Sequence, residues 1–320
     1  MRSLYYTGLI VLSLSATACS RNNYDNVVDQ TYVHKYGVAV PSEYWTSQGQ
    51  DGSVISALAD GVVVTRSYAA GLQNGETTYT FPHREQIQKK EVYAQGTIVS
   101  ETEYFLDGSP QQEIVYDPSQ GIKTVSVWYI GGTPKSLEKY SGNLLISAEY
   151  YTTGNLKDAG VNNYFGTRLV RDDYGMIIAT DTIEDGRQKL RTTYHPNNSP
   201  KELITYKNGN IDGYKKTFHP AGEPNTIEQW SNDAQHGTTV VFQHGEKFAE
   251  IPYANGNKQG IEKRYRDGNA LVQEISWDDD QMHGPTISYV GDNAKTDWYY
   301  KGNMTTEVNY NFMTNRPPVH

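Results

Sequence analysis

Five aromatic residues fall at nearly fixed intervals, Tyr206, Trp230, Tyr253, Trp277 and Tyr300, at steps of 24, 23, 24 and 23 residues. A second set follows twelve residues after each, at Phe218, Phe242, Tyr265, Tyr289 and Phe312. A glycine stands seven residues after each of the first four, at Gly213, Gly237, Gly260 and Gly284. Three markers in phase over this length define a repeat. A repeat constrains the fold more than any local propensity, because one unit can bury its apolar side chains only against the next.

A single unit shows what is being repeated. The segment IEKRYR, residues 261–266, is compatible with a strand, and DGN, 267–269, reads as a tight hairpin turn, since Asp-Gly accepts positive φ. In ALVQEISW, residues 270–277, Leu271, Gln273, Ile275 and Trp277 alternate with Val272, Glu274 and Ser276. DDDQMHG, 278–284, reads as a longer return loop closed by Gly284. Each unit of about 23 residues is therefore a β-hairpin, and hairpins in series give an antiparallel meander. The expected fold is all-β, an elongated single-layer or open solenoid-like sheet.

The pattern continues upstream. Tyr194 lies twelve residues before Tyr206, and YAAGLQNGETTY, from Tyr68, repeats the glycine offsets at Gly71 and Gly75. Phase is poor between residues 155 and 185, around DDYGMIIATD. The repeat array is expected over 68–312, preceded by a β cap over 36–67 and followed by a tail over 313–320. Turn positions are assigned to Gly71, Gly75, Gly209, Gly213, Gly237, Gly256, Gly260, Gly268 and Gly284, because turns need the backbone freedom of glycine. The register aromatics Tyr68, Tyr194, Tyr206, Phe218, Trp230, Phe242, Tyr253, Tyr265, Trp277, Tyr289 and Tyr300 are expected to stack on neighbours one hairpin away and fill the core.

Composition agrees with a thin sheet. The chain holds 26 Tyr, 7 Phe and 5 Trp, too many aromatics for a disordered polymer, although only 37% of its residues are hydrophobic. A net charge of −9 argues against nucleic acid, which requires a basic stripe.

The N-terminus carries a different signal. Arg2 precedes an apolar run from Leu4 to Leu14, too short for a comfortable bilayer span, and small residues follow. Residues 1–18 read as a signal peptide. Ala16-Thr17-Ala18-Cys19 resembles the lipobox of bacterial lipoproteins, and Cys19 is the only cysteine in the chain. The resemblance implies acylation at Cys19, by a chain such as palmitate, and places the protein in the cell envelope on the membrane. Ala16-Thr17-Ala18 also fits an ordinary secretory cleavage site. Residues 19–35 are polar and read as a tether.

The array itself resembles a known family. Tyr206-Lys-Asn-Gly209, Tyr253-Ala-Asn-Gly256 and Tyr300-Lys-Gly302, with the turns at His236-Gly237 and His283-Gly284, are similar to the YwqK-type variant of MORN repeats. That resemblance implies a binding or scaffolding array without catalytic residues. Proteins of this variant often carry an antitoxin label, which for an exported chain would mean an immunity-type role.

No constellation for chemistry emerges. His236 and His283 occupy equivalent positions, as do His195 and His219, so repeat register accounts for all four. Asp278 to Asp280 lack the glycine and distal glutamate of a calcium loop. No metal, cofactor or catalytic group is expected. Tyr129, Tyr151 and Tyr299 each adjoin a register aromatic, so alternation turns them to the opposite face, and they are the candidate contacts for a protein or glycan partner.

Overall fold

A computed structural model describes residues 26–315. The expected signal peptide and Cys19 lie outside the described residues. The chain forms two compact units that divide between Gly108 and Ser109. The break in repeat phase at 155–185 falls inside the second unit.

The first unit contains β1 (Val27–His34), β2 (Ala39–Val40), α1 (Ser42–Ser47), β3 (Gly52–Leu58), β4 (Val63–Ala69), β5 (Leu72–Thr80), β6 (Ile87–Ala94) and β7 (Thr97–Tyr104). Every pairing is antiparallel. β1 pairs with both β2 and β3, and β3 to β7 pair in sequence order. Two expectations are corrected here. Residues 27–34 form a strand and not part of a tether, because backbone pairing with β3 holds Asp29 to His34 while the polar side chains face water. The cap also contains a helix. α1 buries Trp45, whose ring lies 5.7 Å from Tyr32 and 5.9 Å from the register aromatic Tyr68.

The second unit opens with β8 (Pro110–Asp117), β9 (Ile122–Trp128), β10 (Pro134–Ser141), β11 (Leu144–Tyr151), β12 (Lys157–Asn162), β13 (Phe165–Arg171), β14 (Ile177–Glu184) and β15 (Arg187–Tyr194). It continues through β16 (Pro200–Lys207), β17 (Asn210–Phe218), β18 (Pro224–Ser231), β19 (Ala234–Gln235), β20 (Gly237–Gln243), β21 (Glu246–Ala254), β22 (Asn257–Lys258) and β23 (Gly260–Arg266). It closes with β24 (Ala270–Asp278), β25 (Gln281–Val290), β26 (Asn293–Tyr300), β27 (Asn303–Thr305) and α2 (Glu307–Thr314). Among the described residues of this unit the strands pair antiparallel in chain order. The sheet is an open meander and not a closed barrel. α2 begins at Thr306, whose hydroxyl accepts the Asn309 N–H at 3.3 Å. Its Tyr310 packs 5.1 Å from Trp298 and 6.4 Å from Tyr300. The array thus ends before this helix, and Phe312 lies on the helix and not in a strand.

The turns are tighter than the sequence suggested. Asn208 (φ +55°) and Gly209 (φ +93°) both adopt positive φ, the two-residue hairpin turn whose twist matches that of the strands. Gly71 and Gly256 occupy the same second turn position, after Ala70 and Asn255, and Gly268 is the middle residue of a three-residue loop between Arg266 and Ala270. Gly75, Gly213, Gly237, Gly260 and Gly284 are not turn residues. They lie in or at the start of strands, opposite Tyr93, Trp230, Tyr253, Trp277 and Tyr299.

Each of these glycines marks a bulge. Tyr206 pairs with Ile211, but Ile204 pairs with Lys215, so β17 carries two extra residues around Gly213. The Thr205 hydroxyl fills the bulge. It accepts the Tyr214 N–H at 2.7 Å and donates to the Asp212 carbonyl at 2.7 Å. A Cβ on Gly213 would lie 2.6 Å from that hydroxyl. Ser276 plays the same part beneath Gly284, donating to the Pro285 carbonyl at 2.8 Å.

Successive turns on this edge are stapled together. Backbone N–H groups of Asp233, Gly256, Asp280 and Gly302 donate to the carbonyls of Ile211, Gln235, Lys258 and Met282. The carboxylates of the acidic run join in: Asp280 accepts the Lys258 N–H at 2.7 Å, and Asp278 accepts from the Gln259 amide at 3.0 Å. His236 and His283 accept backbone N–H groups of Asn255 and Lys301.

Candidate functional site

The register aromatics are half-buried, and their polar ends find carboxylates where simple ring stacking was expected. Tyr265 donates to Glu250, Trp277 to Glu262 and Tyr289 to Glu274, at 2.7, 2.9 and 2.7 Å, always fifteen residues back. Trp230 donates to Glu228 at 2.8 Å. Lysines cover the ring faces, with Lys247 4.0 Å from the Tyr265 centroid and Lys258 4.3 Å from that of Trp277. In the first unit Tyr79 and Tyr93 both donate to Glu91 at 3.1 Å. The twelve-residue spacing of Glu250, Glu262 and Glu274 is the signal that could have disclosed this arrangement.

A larger ionic centre occupies β10 to β15. Arg168 donates to Glu138 through Nε at 2.9 Å and Nη2 at 3.4 Å. Its Nη1 lies 3.8 Å from Asp181, and Arg191 Nε lies 3.4 Å from the same carboxylate. Tyr140 and Tyr150 also donate to Glu138, at 2.5 and 2.7 Å. Beside the centre lies the hydrophobic cluster of Leu145, Ala148, Tyr150, Val161 and Ile183.

Curling of the sheet brings these groups together. Glu138 stands on β10 and Arg168 on β13, three strands away. In a flat sheet that separation would be about 14 Å, beyond the reach of an arginine. Backbone bonds from Leu145 to Gly186 and from Tyr164 to Ile146 pull one edge inward. β12 pairs with β13 at only two positions, which frees the curl. The break in phase at 155–185 marks this place.

The two acids of the centre are held differently. Burial pushes Glu138 upward, but the Arg168 guanidinium and the three hydrogen-bond donors outweigh it and hold its carboxyl below the usual range. Asp181 is fully buried and its oxygens accept no hydrogen bond. Burial raises it above the usual range, against the pull of Arg191 and Arg168. Burial and the Glu138 charge push the Tyr150 hydroxyl upward, so it remains a donor. Two acids and two arginines balance, and the centre is a structural tie whose acids are buried beneath partly exposed arginines.

The candidate contacts fare unequally. Tyr129 is a correction: it is 4% exposed, and its hydroxyl donates to the Tyr151 carbonyl at 3.0 Å. Its backbone N–H closes the loop onto Thr133 at 2.8 Å, which turns the ring inward despite the alternation. Tyr151 is half-buried and donates to Glu149, and Tyr299 is half-buried within β26. Tyr129 thus touches Tyr151, whereas Tyr299 stands on β26, far from β11 in strand order.

Exposed apolar groups gather on the edge loops that join alternate strands of the same region. Ile130, Leu156, Tyr174 and Met176 are 67, 70, 89 and 44% exposed, on the loops 129–133, 152–156 and 172–176. The last two loops touch, since a Cβ on Gly175 would lie 2.7 Å from Thr153, and Lys135, on β10 just past the first loop, lies 3.4 Å from Asp173. Arg171 braces the last loop through the Gly175 carbonyl at 2.6 Å and an ion pair with Asp158. Sequence reading missed this ridge because exposed apolar residues in loops carry no period.

Among the described residues no group of His, Cys, Asp and Glu converges to hold a metal ion. No described helix is long and apolar enough to cross a membrane, which says nothing about strands. No family profile matches the chain, and no curated protein matches it. Among solved structures, a porin-like protein from Bacteroides uniformis is 8% identical over 83% of this chain and 92% of its own, with a TM-score of 0.16. A likeness that low carries no argument about fold or function.

Proposed function

We propose that the chain is a non-catalytic binding or scaffolding protein of the bacterial envelope, anchored by a lipid on Cys19. It presents its β-repeat surface to a protein partner. The observation that carries this reading is the loop ridge of Ile130, Leu156, Tyr174 and Met176. These are large apolar groups held outward on three loops of one edge, of which 152–156 and 172–176 are in contact. The carboxylates of the array are meanwhile engaged by aromatic and basic neighbours, which suits a scaffold. A glycan partner is the second reading, favoured by the almost fully exposed ring of Tyr174, a stacking surface for a sugar.

Photo-crosslinking in cells tests both, with the probe at Tyr174 and, as reference, at Asn255 on the stapled edge. A discrete protein adduct at Tyr174 that is absent at Asn255 supports the first reading. Retention on purified sacculi that Tyr174→Ala abolishes, without a protein adduct, selects the second. Equal and diffuse labelling at both positions sinks the ridge. Palmitate incorporation lost in Cys19→Ser tests the anchor separately.

A further inference from the structure

The first unit carries its own apolar face. The Gly37 N–H donates to the His34 carbonyl at 2.7 Å and the His34 N–H to the Val38 carbonyl at 2.8 Å, so the chain turns sharply after β1. Tyr36 and Val38 project from that turn, 79 and 61% exposed, and Tyr44 on α1 is 45% exposed. The His34 ring joins them, 5.0 Å from Tyr36 and 6.3 Å from Tyr44. Lys35 pairs with Asp51 at 3.1 Å, and Glu43 stands in the first turn of α1. Trp45 supports the face from below, packed between Tyr32 and Tyr68.

We infer that Tyr36, Val38 and Tyr44 form a surface that rests on the lipid bilayer, an inference built on the acylation of Cys19 proposed above. Chain length supports it. Val27 opens β1 only eight residues after Cys19, where a seventeen-residue tether was expected. Eight residues reach at most about 28 Å, so the start of β1 stays within that distance of the anchor. β1 itself spans about 25 Å, less than the tether, so the strand can lie along the bilayer with its far end, at His34, at the surface.

Chemistry selects this face. Two tyrosines and a valine beside a lysine make the mixture that settles at a membrane–water interface. The nearby charges include the paired Lys35 and Asp51 and the acid Glu43, so attraction to anionic headgroups is not what holds it. Association is apolar and insensitive to salt. The competing face of the same unit is the turn at 82–86, with His83, Arg84 and Glu85. It lies nearer the tether: Ala59 N–H binds the Asn26 carbonyl, and His83 N–H binds the Gly61 carbonyl. Proximity alone would favour that turn, and polarity disfavours it.

The test uses the acylated full chain. Cys19 is the only cysteine, so acylation leaves no free thiol, and a second cysteine can be labelled alone. Tyr36→Cys, Tyr44→Cys and the reference Glu85→Cys are labelled with a solvatochromic dye. Each is reconstituted into phosphatidylethanolamine–phosphatidylglycerol vesicles containing spin-labelled phosphatidylcholine. Dyes at positions 36 and 44 are expected to shift to the blue. Spin-labelled lipid should quench them at least about threefold more than the dye at 85, equally at low and high salt. Water-exposed dyes at 36 and 44 on a chain that incorporates palmitate would overturn the face and leave the anchor standing. A blue shift already present in detergent and untouched by spin-labelled lipid would assign the face to a protein contact or a second copy, and also overturn it. Failure to incorporate palmitate would remove the anchor and the inference together.

Discussion

The stretch from β10 to β15 and the stretch from β16 to β26 are made of the same hairpin, yet they settle buried charge in different ways. In the later strands Glu250, Glu262 and Glu274 each meet an aromatic donor fifteen residues onward. The solution is local and repeats with the period. In the earlier strands Glu138 meets an arginine thirty residues away, across three strands, and Asp181 is shared between two arginines. That solution is made once and depends on the curl of the sheet. Periodic contacts can be exchanged one unit at a time, whereas the ionic centre stands or falls as a network.

The sharpest way to break this contrast is to remove one arginine from each region. Arg168→Met leaves Glu138 and Asp181 buried without their shared cation and should cost about 3–5 kcal/mol. Arg264→Met removes a half-exposed partner of Glu262, which keeps Trp277 at 2.9 Å and Lys258 at 3.7 Å, and should cost only about 1 kcal/mol. Urea denaturation of both variants measures the difference, and equal losses would erase the distinction.

The bulge glycines offer the next test. Gly213→Ala adds strain at φ +100° and a clash with Thr205, and should cost about 2–3 kcal/mol. Gly209→Ala meets nothing within 4 Å and should cost about 1 kcal/mol from backbone strain alone. Adding Thr205→Ala to Gly213→Ala should recover part of the loss. If it recovers nothing, the hydroxyl does not fill the bulge. A smaller effect is expected for Trp277→Phe, which keeps the ring and removes the donor to Glu262, at about 1.5 kcal/mol by thermal or urea unfolding.

The smallest effect lies in pH dependence and concerns the two acids of the centre. Asp181 is raised in the folded state, so its ionised form costs stability above its folded pKa. That cost is relieved as pH falls toward the ordinary aspartate value. Glu138 is lowered, so its contribution is present above the ordinary glutamate value and is lost as pH falls through its folded pKa. Asp181→Asn should therefore change stability at neutral pH by no more than about 1 kcal/mol, in the stabilising direction. The gap to the parent protein should narrow on acidification. Urea midpoints at neutral and mildly acidic pH would show it, and a gap that widens would reverse the assignment.

Much of the fold was legible, and the failures have physical causes. Asn208-Gly209 and Asn255-Gly256 announced their turns because positive φ at both positions admits few residues. Gly213 and Gly284 were misplaced because a bulge and a turn ask the same freedom of glycine, and only the ladder register tells them apart. α1 escaped notice because six residues are too few to display a helical period. Tyr129 was turned the wrong way because alternation ends where a strand does, and its loop folds the ring inward. Of the site, neither the ionic centre nor the loop ridge was visible. Glu138, Arg168, Asp181 and Arg191 share no spacing, and neither do Ile130, Leu156 and Tyr174.

The period of aromatics, turn residues and glycines determined by itself that this protein is an open antiparallel meander. Each marker constrains a few neighbouring φ and ψ angles, and those constraints repeat. Only the tertiary structure decided which acid meets which cation and which loops gather their apolar tips. Those meetings depend on the curl of the sheet, the sum of small twists over several strands and of the bonds that staple its edge. No single segment carries that sum.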